Sequence, residues 1–324
     1  MAEQSLDRFP SNRTELGDQV SALERSRHRP KLLDVRDEEP LVSERAEKKL
    51  SRGFWISVGW LGFIVVVSLL APQLRSIGIL ADPNEQDLTN TSLPLFSAGH
   101  LLGTDNLGRD ILSRSIFGAR VSIAVGVASV AFGLLFGSIV GLTAGYFRGR
   151  LETVLMAIVD VMLAFPALLL ALAIVTFTKS QELHIIILAI GVVAIPPLAR
   201  LVRANTLAFA QREFVLAARA LGASDLRIIL REILPNVALP AISFSIIGVA
   251  VAIVAEGALA FLGLSIPPPD PTWGKMIAEG RGQLDTGAPW IPLVPGFFMF
   301  LTVLALNFAG DSLREFFDVK ESGL

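Results

Sequence analysis

The chain alternates between long apolar stretches and short polar connections. A helix needs about 20 apolar residues to cross a bilayer core about 30 Å thick, because its backbone polar groups must be paired internally there. Six stretches meet or approach this length with at most one Asp, Glu, Lys or Arg each, at positions 54–74, 119–147, 153–178, 183–199, 236–264 and 287–310. The pattern predicts six transmembrane helices and an all-α integral membrane protein.

The first 53 residues differ from the rest, because charges of both signs crowd them and Pro10, Pro30 and Pro40 interrupt them. A segment of this composition cannot bury enough apolar surface to order itself. No apolar stretch typical of a signal peptide occurs in it. We expect residues 1–53 to form a largely disordered cytoplasmic tail, 54–317 the transmembrane domain, and 318–324 a short cytoplasmic end.

The distribution of arginine predicts the orientation. The connection between the fourth and fifth predicted spans carries a cluster of them, namely Arg200, Arg203, Arg212, Arg219, Arg227 and Arg231. Short cytoplasmic loops are enriched in Lys and Arg, so this connection is expected inside, and an even number of spans puts both termini inside. Arg109, Arg114 and Arg120, in or beside the predicted external loop, go against the rule.

Composition excludes several classes of function. The net charge of -2 offers no basic surface for nucleic acid, and the absence of cysteine excludes disulfides and thiolate metal sites. His28, His100 and His184 are too scattered for a metal site. Gly274 and Lys275 are followed by Met276 rather than Ser or Thr, so the phosphate-binding P-loop pattern is missing. We expect no cofactor and no bound metal.

The connection between the fourth and fifth spans is too polar to cross a membrane. Residues 213–220 are good helix formers, Gly222 permits a chain reversal, and Ser224 or Asp225 can cap a second helix. That second helix is amphipathic until Pro235 disturbs it, with one apolar stripe made of Leu226, Ile229, Leu230, Ile233 and Leu234. A helix, a turn and an amphipathic helix are predicted at the membrane surface.

This string resembles the cytoplasmic signature loop of binding-protein-dependent ABC importer permeases. The matching positions are Ala217, Ala218, Gly222, Ile233, Leu234 and Pro235. The resemblance implies a type I ABC importer permease fold, in which the coupling segment, residues 207–235, docks on an ATPase subunit. Leu216 stands where the family often has an acid. Glu213 is the nearest acid, and it joins the matching positions as a candidate ATPase-coupling residue.

Three further strings narrow the resemblance. LGTDNLGRDILSRSIFGARVSI at 102–123, VDVMLAFPALLLALAIV at 159–175 and EGALAFLGLSIPPPDPTWGKMI at 256–277 resemble C-type permeases of the dipeptide, oligopeptide and nickel importers. This implies a non-catalytic subunit in a bacterial inner (plasma) membrane. Its implied partners are a B-type permease, two ABC ATPase subunits and an extracellular or periplasmic substrate-binding protein.

The resemblance favours small peptides as cargo and leaves nickel chelates or other small solutes as alternatives. A self-sufficient secondary transporter would show internal repeats and charged pairs within its spans, and neither is evident in the sequence. A membrane scaffold that transports nothing would leave the signature loop without a purpose.

Four residues outside the coupling segment are candidates for pathway or partner contacts. Asp160 interrupts the third span, where an acid serves either a cation relay or a structural interface. Glu256 is expected near the external face, lining the pathway mouth or solvated. Trp273, on a proline-rich loop, is expected to meet a binding protein or to pack within the membrane complex. Arg109 either contacts a charged peptide terminus or pairs with nearby acids.

Overall fold

The computed structural model describes residues 51–321, with side chains to Phe316. Most of the predicted tail, 1–53, and most of the predicted cytoplasmic end lie outside this range. The helices of the described chain are α1 Arg52–Ser76, α2 Ile111–Phe147, α3 Gly149–Ala164, α4 Ala167–Thr178, α5 Leu183–Phe209, α6 Glu213–Ala220, α7 Asp225–Phe261, α8 Trp273–Gly280 and α9 Trp290–Glu321.

Helices α2 and α5 form the centre of the fold, and glycine brings them close. From Gly133 to Gly145 every fourth residue of α2 is a glycine, and an added Cβ at each would lie 2.6–2.9 Å from a side-chain Cβ of α5. The register is constant, with the pairs Gly133 and Ala194, Gly137 and Leu198, Gly141 and Val202, and Gly145 and Thr206. Because both numbers of each pair rise together, α2 and α5 run parallel. The close helix contact suggested by these small residues is therefore present.

The parallel direction of α2 and α5 requires the chain to cross back between them, and α3 and α4 make that crossing. They are bent by 90° at Phe165 and Pro166. The expectation of one helix over 153–178 is wrong, because the helix is broken there. Pro166 has no N–H to donate and disfavours helical geometry in the preceding residue, and Phe165 is extended at ψ 136°. Residues 51–321 contain five single helices long and apolar enough to cross a membrane, and six crossings if this bent pair counts as one.

Several helices extend beyond the apolar stretches. Helix α2 starts at Ile111, where the Asp110 carboxylate caps it by accepting a hydrogen bond from the Ser113 N–H at 2.7 Å. Helix α5 continues past Arg200 to Phe209. Helix α7 passes through Pro235 without ending, because a π-helical turn over Ile228–Ile233 precedes the proline. Hydropathy marks where apolar residues stop, whereas a helix can continue through paired charges.

Helices α1, α7 and α9 each run alongside a neighbour in the opposite direction. For α1 and α2, Ile64 shares one buried cluster with Ala119, and Ala71 shares another with Ile116. For α7 and α9, an added Cβ at Gly257 would lie near Met299 and one at Gly310 near Ile247. Consequently α1 begins, and α9 finishes, at the end of the helices where the coupling segment lies. We call the opposite end the distal end.

Candidate coupling and pathway sites

The coupling segment is anchored by one apolar face. Val215, Ile228 and Ile233 are fully buried and pack with Val202 of α5 and Leu142 of α2. Ala218 and Leu234 are half-buried against the same cluster. Of the predicted coupling residues, therefore, Ile233, Leu234 and Ala218 hold the segment onto its own chain. Glu213, Ala217, Gly222 and Pro235 lie exposed on its outer side.

The turn between α6 and α7 depends on Gly222. Its φ is +81°, in the left-handed region, and a Cβ added there would meet no atom within 4 Å. The chain reversal predicted at this glycine is present, and its requirement is conformational rather than steric. Ser224 makes no side-chain capping hydrogen bond to α7. The Asp225 carboxylate instead accepts a hydrogen bond at 2.6 Å from the hydroxyl of Tyr146, the only tyrosine.

Tyr146 connects the end of α2 to both helices of the coupling segment. Besides donating to Asp225, its hydroxyl accepts a hydrogen bond at 3.2 Å from Arg219 on α6. The Arg219 guanidinium lies 5.8 Å from the centre of the tyrosine ring. The hydrogen bond with Tyr146 raises the pKa of Arg219. Tyr146 is not predicted by the sequence, because nothing local to it indicates a contact some 75 residues away.

The outer side of the coupling segment carries exposed leucines. Leu221, immediately before Gly222, is 89% exposed, and Leu216 and Leu226 are also exposed. Isolated exposed leucines are ordinary, but three within eleven residues around a tight turn form an apolar edge. In the sequence, Leu216 stands out because the family often has an acid there, and Leu226 belongs to the predicted apolar stripe of the second helix. Leu221 was missed, although its place beside the turn glycine is a usable signal.

The distal end is organised around Glu256 and Trp273, which are both fully buried. The Glu256 Oε1 accepts hydrogen bonds from the hydroxyls of Ser265 at 2.6 Å and Thr272 at 2.8 Å. Trp273 donates its indole N–H to the Ser115 carbonyl at 2.9 Å. The expectations that Glu256 is solvated or lines a mouth, and that Trp273 meets another protein, are wrong. Both side chains are packed inside their own chain.

Arg109 belongs to a second buried cluster at the distal end. Its Nε donates to Asp105 at 2.6 Å and its Nη2 to Glu279 of α8 at 3.1 Å. Arg114, also buried, donates to the carbonyl of Pro83 at 2.9 Å. Arg109 thus pairs with neighbouring acids, which is the structural one of its two predicted roles, and the cluster ties the loop before α2 to α8.

A cavity of about 300 Å³ opens beside this cluster, lined by residues that include Gln181, Lys275, Glu279 and Arg281. The Lys275 ammonium donates to the carbonyl of Asp270 at 3.2 Å. Burial lowers the pKa of Lys275, Glu279 opposes that effect, and Arg114 and Arg109 add to it. The cavity is a recess at the surface of the distal end, with apolar residues such as Phe261 and Ile266 in its lining beside the charged ones.

Residues 133–322 match the protein family described as "Binding-protein-dependent transport system inner membrane component". The chain belongs to this family. It is 42% identical over 224 residues to the glutathione transport system permease protein GsiD of Pectobacterium atrosepticum, covering 69% of this chain and 74% of that one. It is 40% identical over 256 residues to the dipeptide transport system permease protein DppC of Alkalihalophilus pseudofirmus, covering 79% and 82%.

The solved structures point to the same fold. An inward-facing structure of the MetNI methionine ABC transporter matches with a TM-score of 0.53 and 22% identity, covering 63% of this permease and 96% of that chain. The predictions of an all-α membrane protein with the type I importer permease fold, and of an ABC importer permease, are confirmed. As a multi-pass permease of this family, the chain works with other permease and ATPase subunits.

Asp160 has a partner that the sequence did not reveal. Arg200 of α5 donates to its carboxylate at 2.6 Å. One turn further along α5, Arg203 pairs with Glu152 of α3, its Nε donating at 2.8 Å. Neither pair is evident in the sequence, because their members lie 40 and 51 residues apart, and Glu152, Arg200 and Arg203 lie just outside the stretches predicted to span. The permease therefore has two ion pairs between α3 and α5.

Proposed function

We propose that this permease forms half of the translocation pathway of an ATP-driven importer of small peptides. The support for this cargo is the set of relatives at 38–43% identity, which are named as dipeptide, glutathione and peptide transport permeases. Its expected partners are a B-type permease, two ABC ATPase subunits beneath the coupling segment, and an extracellular or periplasmic substrate-binding protein at the distal end. Both termini are then cytoplasmic, in a bacterial inner membrane.

The observation that carries the proposal is the exposed edge of the coupling segment. Leu216, Leu221 and Leu226 form an apolar ridge around the Gly222 turn, which joins α6 to α7. An amphipathic helix whose apolar edge is left uncovered fits a groove on a partner. In this role Ala217, Gly222 and the exposed leucines contact the ATPase, while Val215 and Ile233 transmit its displacement.

The path from the ATPase into the membrane is continuous. Closure of the ATPase pair on ATP moves the docked segment, and α7 carries that displacement through the π-helical turn into the span, because no loop interrupts it between Asp225 and Phe261. Tyr146 transmits the same movement to α2. Binding that favours one arrangement of the helices over another shifts the population between inward-open and outward-open states. The chemistry of hydrolysis belongs to the partner subunits.

The test is assembly and transport with Leu221→Asp in the complete reconstituted importer. A charge at the centre of the ridge should weaken ATPase binding by about tenfold or more, because it must be desolvated in the groove. Leu88→Asp is the matched control, since Leu88 is a leucine at the distal end that is also largely exposed, at 71%. Normal ATPase affinity and peptide uptake with Leu221→Asp would overturn the docking surface. Hydrolysis of ATP by the rigorously purified permease alone would overturn the non-catalytic role.

A further inference from the structure

The ion pair between Asp160 and Arg200 is unusually open for its position. The two side chains remain 59% and 55% exposed, although long apolar stretches of sequence adjoin both of them. Within the described chain, the 2.6 Å contact from Arg200 Nη2 to Asp160 Oδ1 is the only hydrogen bond that either side chain makes. Most of the guanidinium donors and one carboxylate oxygen are therefore available to another group.

The neighbouring pair shows what a purely structural contact between the same two helices looks like. Arg203 turns two N–H groups, from Nε and Nη2, toward the same oxygen of Glu152. Its side chain is 33% exposed and that of Glu152 is 20% exposed. This closed pair already ties α3 to α5. A second structural contact between α3 and α5 would not need side chains as exposed as those of Asp160 and Arg200.

The open pair lies near a break in α3 and near two prolines in α5, which itself continues unbroken from Leu183 to Phe209. Asp160 precedes the break at Phe165 by about 8 Å along α3, and Arg200 follows Pro196 and Pro197 of α5. Charged side chains within membrane spans face a water-filled cavity or a polar partner rather than lipid. Secondary transporters place their cargo sites near discontinuous helices. Asp160 and Arg200 are polar partners of each other, and the pair lies near the break in α3.

We propose that Asp160 and Arg200 form a contact site for zwitterionic cargo on the wall of the translocation pathway. The Asp160 carboxylate accepts the ammonium group of a peptide, and the Arg200 guanidinium donates to its carboxylate, where paired N–H groups fit both oxygens. When no cargo is present the two residues neutralise each other, so neither charge is left alone in the membrane. This inference rests on the proposed function and assigns to this site the charged termini of the cargo.

The first experiment asks whether this face of α3 meets water. The chain has no cysteine, so single cysteines can be introduced directly. Ala157→Cys and Ala164→Cys flank Asp160 on the same helical face, and Ile158→Cys is the control on another exposed face of α3. In the assembled importer we expect a charged, water-soluble thiol reagent to modify positions 157 and 164 at least about tenfold faster than position 158. Rates no faster than at 158 would overturn the proposal.

The second experiment asks whether the charges contact cargo. Uptake from saturating loaded binding protein is compared for a free dipeptide and its carboxyl-terminal amide. Arg200→Gln should slow uptake of the free acid by about tenfold, as expected for loss of a charge-assisted contact, and leave the amide nearly unchanged. Asp160→Asn should act in the same way when the free dipeptide is compared with its N-acetyl derivative. The same binding protein serves every complex, so its own preference cancels between variant and wild type.

The control variants Glu152→Gln and Arg203→Gln alter the closed pair between the same helices. They should change uptake of free and blocked peptides by the same factor. If Asp160→Asn and Arg200→Gln also act equally on both peptides, the open pair is structural and the proposal is overturned. Peptide uptake by the wild-type importer tests the proposed function separately, and the thiol measurement needs no cargo.

Discussion

The two ends of the permease are held together in different ways. At the distal end Trp273, Glu256 and Arg114 are almost completely buried, and their hydrogen bonds join α2, α7 and α8. At the coupling end the polar contacts of Tyr146, Arg219 and Asp225 are exposed. A buried hydrogen bond is costly to break because its groups are left without water, whereas an exposed one is exchanged for water at little cost.

This difference separates a rigid distal end, which we call the distal frame, from a coupling end that can move. The distal frame should determine whether the chain folds, and the coupling end should determine whether ATP hydrolysis drives transport. Substitutions at the two ends should therefore affect different measurements. The following predictions test that separation, beginning with the largest expected effect.

Gly274→Val should destabilise the fold most. A Cβ at Gly274 would lie 2.3 Å from the Cα of Gly257, so α8 would have to move away from α7. Overpacking against backbone should cost about 3 kcal/mol or more. The measurement is thermal unfolding of the purified permease in nanodiscs, with Gly282→Val as the control, because an added Cβ there meets no atom within 4 Å. Equal stability of the two variants would show that the close contact of α7 and α8 does not stabilise the fold.

Glu256→Leu should be the next most damaging change at the distal end. It leaves the hydroxyls of Ser265 and Thr272 without their shared acceptor, which should cost about 1–3 kcal/mol in the same unfolding experiment. Glu256→Gln retains an acceptor oxygen at that position and should be clearly more stable than the leucine variant. A leucine variant as stable as the glutamine variant would show that these hydrogen bonds do not support the frame.

Gly222→Val should change coupling while leaving the frame intact. A β-branched residue at φ +81° is strained by about 1–2 kcal/mol, and no steric clash adds to this because the surrounding space is open. We expect the unfolding temperature to change little and the amount of peptide imported per ATP hydrolysed to fall severalfold. Gly222→Ala should give a smaller loss. Unchanged coupling in both variants would show that the turn conformation has no role in transport.

Tyr146→Phe should have the smallest effect. It keeps the ring beside Arg219 and removes only the hydroxyl that bonds Asp225 and Arg219. Because these contacts are exposed, we expect a loss of about twofold or less in peptide imported per ATP, without a change in unfolding temperature. A large drop in unfolding temperature would contradict the division between the two ends.

The sequence alone was sufficient for the fold class and for the coupling segment. Both depend on local chemistry, since a run of apolar residues must become a helix in lipid and a glycine between two helix-forming strings favours a turn. The position of Gly222 was predictable for this reason. The break at Pro166 lies inside the stretch predicted as one helix over 153–178, and its bend angle depends on what surrounds it.

Only the tertiary structure decided which charges and aromatic rings are buried and with which partners. Trp273 meets Ser115, Arg200 meets Asp160, and Tyr146 meets Asp225 across about 40 to 158 residues of sequence. Local patterns define the hydropathy of a helix and the faces it presents, but they do not specify which helix it will contact. That choice comes from packing, here from the glycine register that brings α2 and α5 together, and it determined where the charged residues of this permease lie.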